Sequence, residues 1–393
     1  MGNPVTGINP RILEWARKGS GQSIEDVAAA FGKESSVIQE WESGQSAPTY
    51  VQLEKLAYSV YKRPIAIFFF PDIPDEIDPK QSFRTLPGTE IEELGADTRH
   101  KVREARAMQL SLSELANGSN PSPRQLLKDI SAKASESASS IAEKIRDYLE
   151  IPLSVQKGWK SIEDGLKTWR AAVEDNGIFV FKDSFKQKDV FGLSLYDEEF
   201  PLILINNSNA QTRQIFTLFH ELAHLIVHES GVTKQDDSYI DKLHGHSRQV
   251  EVFCNRLAAE LLLPSSDFKA TLRTYERPDE EAVNAIAWTY KVSREVVLRR
   301  LLDMELVGKQ RYERDVKKWR EEYDARVKAD AQAGKGGGNY YATQASYLGE
   351  KYLSLAFSSY YKGRISVDQL ADYLNVSVKN IPGLEQFVLQ KTS

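Results

Sequence analysis

FTLFHELAHLIVHE, Phe216 to Glu229, is the stretch on which the reading of the whole chain turns. It sets His220, Glu221 and His224 in the order H-E-x-x-H inside an apolar run of helical period. Residues four apart on a helix lie one above the other on the same face, so both imidazoles can reach a single cation. Glu221 follows the first histidine about 100 degrees around the helix, which suits a base beside a metal-held water rather than a ligand. Two histidines are half a site, because catalytic zinc takes three protein groups and a water.

The third ligand has to come from downstream, where His228, His244, His246, Glu251 and Glu260 are available. His228 lies about two turns beyond His220, out of reach of the same ion, and is expected to be structural. His244 and His246 fall in a polar stretch, KQDDSYIDKLHGHSR, expected to be a loop. There they suit proton donation or substrate contact better than ligation. Glu251 opens a new helical pattern, EVFCNRLAAELLLP, and shares a face with Asn255 four residues later. One of the two can ligate while the other orients an imidazole, which makes Glu251 the best third ligand. Cys254, three residues past Glu251, is expected as a small buried side chain rather than a fourth ligand.

Upstream of the motif, Ile162 to Asn176 has helical spacing and stops at Gly177. Three apolar runs follow, IFVFKDSF, VFGLSLYD and FPLILINN, bounded by Pro and Asn. The order predicts a small antiparallel sheet followed by the motif helix. An edge strand beside such a helix can hold an extended peptide by backbone pairing, and FPLILINN and VFGLSLYD are both candidates.

The remainder of the chain bounds the class. With 393 residues, 27% charged and 41% hydrophobic, and a net charge of -5, the chain is long enough for several domains. Its charge does not mark a protein built mainly to hold nucleic acid or an anionic membrane. A single cysteine excludes an intrachain disulfide framework, and neither a signal-peptide pattern at Met1 to Ser20 nor an apolar run of about 18 residues is present. A cytoplasmic protein without a membrane span is expected.

Between Asn9 and Phe70, short helices alternate with breakers. Ser23 can cap IEDVAAAF, Gly32 ends it, Ser35 or Ser36 can cap VIQEWE, and Gly44 ends that. Two short helices around a tight turn form a helix-turn-helix. The spacing of Ala28 to Ala30, Gly32, Val37, Ile38, Trp41-Glu42-x-Gly44 and Pro48-Thr49 resembles the Xre-type, phage-repressor DNA-binding domain. That resemblance implies base contacts from Ser35, Ser36 and Gln39, with Gln22 and Lys33 near phosphates of operator DNA. Against it, residues 1 to 70 carry seven Lys or Arg and seven Asp or Glu. With no net positive charge, phosphate affinity is weak, and a homodimer would be needed to raise it. The bland alternative is a helical domain that docks a protein.

The segment RQIFTLFHELAHLIVH, a polar loop, and E-x-x-x-N-R-x-A-A-E-L-L-L-P ending at Pro264 resembles the ImmA/IrrE family of bacterial metallopeptidases. The resemblance spans about residues 165 to 305 and implies a zincin-like fold. It implies His220, His224 and Glu251 as ligands of zinc, with manganese also admissible, and Glu221 as the general base. It implies a repressor-type protein as substrate or, in antitoxin-like relatives, a toxin partner. Family sequences often carry another Glu and an Ala where this chain has Phe253 and Cys254, a departure that touches no proposed ligand.

After the motif, Glu281 to Met304 reads as two helices around a turn with Ser293 as a cap, and Gln310 to Ala331 as a charged, solvated helix. GKGGG at 334 to 338 is expected to be flexible, and Tyr340 to Ser393 to offer a helical interaction surface. The expected architecture is α+β and mostly helical. It comprises an all-α helix-turn-helix domain (1–72), a helical linker and scaffold region (73–158), a metallopeptidase domain (159–305) and a helical C-terminal region (306–393).

Overall fold

The computed structural model describes residues 3–75, 94–187, 189–234, 240, 243–332 and 339–392. Part of the PDIPDEIDPK linker, most of the polar loop before His244, and GKGGG lie outside these residues. The chain divides into two compact units, one of residues 1–107 with 185–190, the other of residues 108–184 with 191–393.

The first unit begins with four short helices: α1 (Pro10–Gly19), α2 (Ile24–Phe31), α3 (Ser35–Ser43) and α4 (Tyr50–Glu54). Ser23 and Asp26 form a reciprocal capping box on α2, and Gly32 stops it with φ of 59°, in the left-handed region where glycine has no steric penalty. The expected serine cap on α3 is not formed. Glu34 occupies the N-cap position without a side-chain hydrogen bond, and Ser35 is already helical. Ile12, Ala16, Val27, Ile38, Trp41 and Leu53 meet in one core. Glu42 receives two hydrogen bonds from the Arg17 guanidinium, at 2.7 and 3.0 Å, and so ties α3 to α1. A seven-residue π-helix (Lys55–Tyr61) and a 3-10 segment (Ile65–Phe69) complete this part, and α5 (Ala96–Leu115) begins in the first unit and ends in the second.

In the second unit, α6 (Leu126–Asp129), α7 (Ala138–Tyr148), α8 (Leu153–Gly158) and α9 (Ile162–Asp175) precede the strands β1 (Phe179–Asp183), β2 (Val190–Leu195) and β3 (Leu202–Asn206). The Ala/Ser-rich stretch 131–140 becomes helical only at Ala138, where Ser137 caps by accepting from Ser140 N. Helix α10 (Gln211–Ile226) carries the H-E-x-x-H residues, and the short strand β4 (Gly231–Lys234) follows it.

The sheet is mixed rather than antiparallel, in the order β1-β3-β2-β4. β2 and β3 form an antiparallel hairpin, and β3 slots back between β2 and β1, so that it runs parallel to β1 with Phe181 opposite Leu204. This arrangement overturns the expectation that the β2 or β3 run is an edge. Both are interior strands, fully buried along their length, and β1 and β4 are at the margins. Burial on both sides explains why these runs are continuously apolar instead of alternating.

The remaining helices are α11 (Gly245–Leu262), α12 (Ser265–Leu272), α13 (Glu280–Tyr290), α14 (Arg294–Asp303), α15 (Lys309–Gln332), α16 (Tyr340–Leu348), α17 (Glu350–Tyr361), α18 (Val367–Tyr373) and α19 (Ile381–Thr392). Ser293 caps α14 as expected. One hydrophobic core joins α7, α9, α10, α11, α13 and α14 to the inner face of the sheet through Ile145, Trp169, Ile205, Phe219, Leu257 and Leu298. Among the described residues no helix is long and apolar enough to cross a membrane.

Candidate metal centre

Helix α10 lies on the sheet at very close range, and Gly192 is what permits it. A Cβ at that position would fall 2.5 Å from Thr217 Cγ2 and 3.0 Å from Leu204 O. The approach buries Thr217, His220, Glu221 and His224 to 1% exposure or less. Helix α11 packs along the other flank of α10 and brings Glu251, 2% exposed, to both imidazoles. Glu251 Oε2 lies 3.4 Å from His220 Nε2, its Oε1 lies 3.3 Å from His224 Nε2, and the two Nε2 atoms are 3.2 Å apart. One ligand atom from each of the three residues falls within 4.8 Å of the others, so together they could hold a metal ion.

The donor chemistry fits such an ion. Asn255 Oδ1 sits 2.9 Å from His220 Nδ1, and an amide oxygen can only accept, so the His220 proton is held on Nδ1 and the Nε2 lone pair faces the cluster. Two imidazole nitrogens and a carboxylate converging out of contact with water repel one another unless a cation or a proton lies between them. Two histidines and a carboxylate suit zinc and also manganese.

The C-terminal end of α11 is pinned independently. Arg146 donates to Leu261 O at 2.6 Å and to Gln156 Oε1 at 2.8 Å, while Gln156 Nε2 donates to Leu262 O and Tyr290 O at 2.8 and 2.7 Å. A cation there satisfies the unpaired final carbonyls of the helix and opposes its negative end. Glu260, the alternative ligand, is occupied at this same end, where it accepts from Ser265 N at 2.9 Å and pairs with Arg300 at 2.9 Å.

Glu221 is placed apart from the ligand group. Its Oε2 accepts from Ser194 Oγ of β2 at 2.6 Å, and its Oε1 accepts from Thr233 N and Oγ1 of β4 at 3.0 and 2.6 Å. Ser194 Oγ also accepts from Gly231 N at 3.1 Å, so one hydroxyl joins the carboxylate to the start of β4. Gly231 lies flat against the His224 ring, where an added Cβ would be 2.3 Å from Cδ2. Sequence reasoning missed Ser194, Thr233 and Gly231. Nothing in their local pattern distinguishes them, because their roles arise from the pairing of β4 with β2.

The other candidates lie outside the cluster. His228 is exposed, has φ of 61°, and stacks on Tyr196 with ring centroids 5.0 Å apart. His244 takes the N-cap position of α11, and His246 pairs with Glu229 at 2.8 Å. Cys254 is fully buried, and burial, reinforced by the nearby Glu251 and Glu221 charges, pushes its thiol well above its ordinary range. In the first unit, Lys33, Ser36 and Gln39 are exposed and Gln22 and Ser35 half-buried, all in or just before α2 and α3.

Two histidines and one glutamate are a ligand set that some metallopeptidases use for catalytic zinc. Residues 173–302, about a third of the chain, match the Peptidase_M78 family model, described as the IrrE N-terminal-like domain. That segment contains β1 to β4, α10 and α11, and hence the whole His/His/Glu group. Among curated proteins none matches the chain.

Proposed function

We propose that the chain is a metal-dependent endopeptidase and transcriptional regulator that cleaves or controls a repressor-type protein in a stress, mobile-element or toxin–antitoxin circuit. The convergence of His220, His224 and Glu251, with Asn255 fixing the tautomer of His220, carries this reading. The two Nε2 atoms and the Glu251 carboxylate would hold zinc or manganese. Such an ion, when bound, polarises a peptide carbonyl and acidifies water. Glu221 takes the proton of the attacking water and passes it to the leaving amine. Three hydrogen bonds hold Glu221 in the resting geometry and leave about one of its four acceptor sites for the water. Glu221→Gln preserves the shape and the Thr233 contacts, and is expected to keep the metal while abolishing cleavage of a repressor-type substrate. Undiminished cleavage by that variant sinks the assignment of the base.

The closed burial of the group and the three hydrogen bonds already made to Glu221 favour a second reading, a non-catalytic DNA-binding repressor or antitoxin that uses the peptidase fold to bind a partner protein. In that case Glu221→Gln leaves partner binding intact and no cleavage is seen with wild type. In both readings α3 supplies the reading helix, with Ser35, Ser36 and Gln39 toward bases and Gln22 and Lys33 toward phosphates of operator DNA, in a homodimer. Fluorescence anisotropy with the duplex upstream of the chain's own gene tests this. Gln39→Ala should relax sequence preference, whereas Lys33→Ala should weaken all duplexes alike.

A further inference from the structure

Helix α9, the start of α10 and the C-terminal helices α16, α17 and α19 line a half-open cavity of about 580 Å³ beside β1. That volume suits a small organic molecule. Most of its wall is apolar, with Leu166, Leu353 and Phe357 at 4%, 0% and 8% exposure. Within it stands Lys182 of β1, only 9% exposed and without a hydrogen-bond or ion-pair partner among the described residues.

A buried ammonium without a direct ion pair is costly; Glu174 and Glu163 attract it from a distance, but burial and the Arg170 charge outweigh them. Arg170 is already committed to Glu174 Oε1 at 2.9 Å and to the carbonyls of Ser346 and Val180. Lys167 pairs with Glu350 at 4.0 Å in an exposed contact. Among the described residues of the wall, Lys182 is therefore the buried cation left without an ion pair. Gln214, on the same wall, is a second unsatisfied group. Its Nε2 donates to Asn209 O at 2.8 Å, and its buried Oε1 has no donor.

We propose that this cavity binds a small amphipathic carboxylate, its acid group against the Lys182 ammonium and its hydrocarbon body against Leu166, Leu353 and Phe357. A dianion such as a phosphate ester fits less well. Among the described lining residues Lys182 is the one cation without an ion pair, and Glu163, Glu174, Glu350 and Glu385 also line the cavity.

The test is isothermal titration calorimetry on the full chain with octanoate, decanoate and hydrocinnamate, and with decanol as the uncharged counterpart of decanoate. Wild type is expected to bind at least one of the acids one-to-one and more tightly than decanol. Lys182→Met should lose about tenfold or more in affinity for the acid, with decanol little changed, and Lys182→Arg should recover part of the loss. Equal acid affinity in wild type and Lys182→Met, or no binding of any of the three acids, overturns the proposal. Metal content of Lys182→Met should equal that of wild type, so this result stands apart from the metallopeptidase reading.

Discussion

Ser194→Ala removes one hydroxyl that serves two partners at the heart of the site. Ser194 is fully buried on β2, donates to the Glu221 carboxylate at 2.6 Å and accepts from the Gly231 amide at 3.1 Å. A hydrogen bond to a charged group contributes about 1.5–3 kcal/mol, and a buried amide left unsatisfied costs about 1–3 kcal/mol. The two losses share one atom and relax together, so the combined effect is about 2–4 kcal/mol. Its location is specific, because the strand that loses its attachment is β4, a four-residue margin of the sheet. Hydrogen–deuterium exchange followed by mass spectrometry on peptides spanning Ser230 to Lys234 reads that opening directly. Exchange there should accelerate about thirty- to a thousandfold, while peptides from α1 to α4 stay as in wild type. Unchanged exchange in β4 refutes the claim that Ser194 anchors it.

Gly231→Ala puts a methyl group where the His224 ring now lies, so the imidazole must move; elemental analysis should show the metal lost from a chain whose circular dichroism is unchanged. Lys182 yields a pH-dependent prediction: burial, with Arg170 adding repulsion, lowers its ammonium from 10.5 to about 8. Below pH 8 both folded and unfolded chains hold the proton and the penalty is fully present, and it fades as pH rises toward 10.5. Lys182→Met should therefore be more stable than wild type at pH 7 by up to about 3 kcal/mol. Urea denaturation at pH 7 and pH 10 should show that advantage shrinking, and an advantage that grows with pH contradicts the sign.

What could be read from sequence was local. The four-residue spacing of His220 and His224, and of Glu251 and Asn255, sets each pair on one helical face, and these are the side chains that converge. Gly32, Gly44 and Ser293 marked helix ends because caps need particular backbone or side-chain chemistry. The sheet order was not legible, because the β1 to β3 pairing joins strands that are not sequence neighbours and all three runs look alike when buried on both faces. The even charge balance over residues 1–70 is not altered by the one buried pair in it, which removes one charge of each sign. Arg17 and Glu42 neutralise each other between α1 and α3, at 10% side-chain exposure each, and neither is available to a phosphate. The environment of Glu221 was likewise hidden, since Ser194 and Thr233 reach it only through the fold.

The most direct test of the central claim is metal content by elemental analysis of protein purified without chelator or affinity metal, wild type beside His224→Ala. The account predicts about one zinc or manganese per wild-type chain and little in the variant. Absence of metal from both, with the fold intact and no uptake when either metal is added, contradicts it.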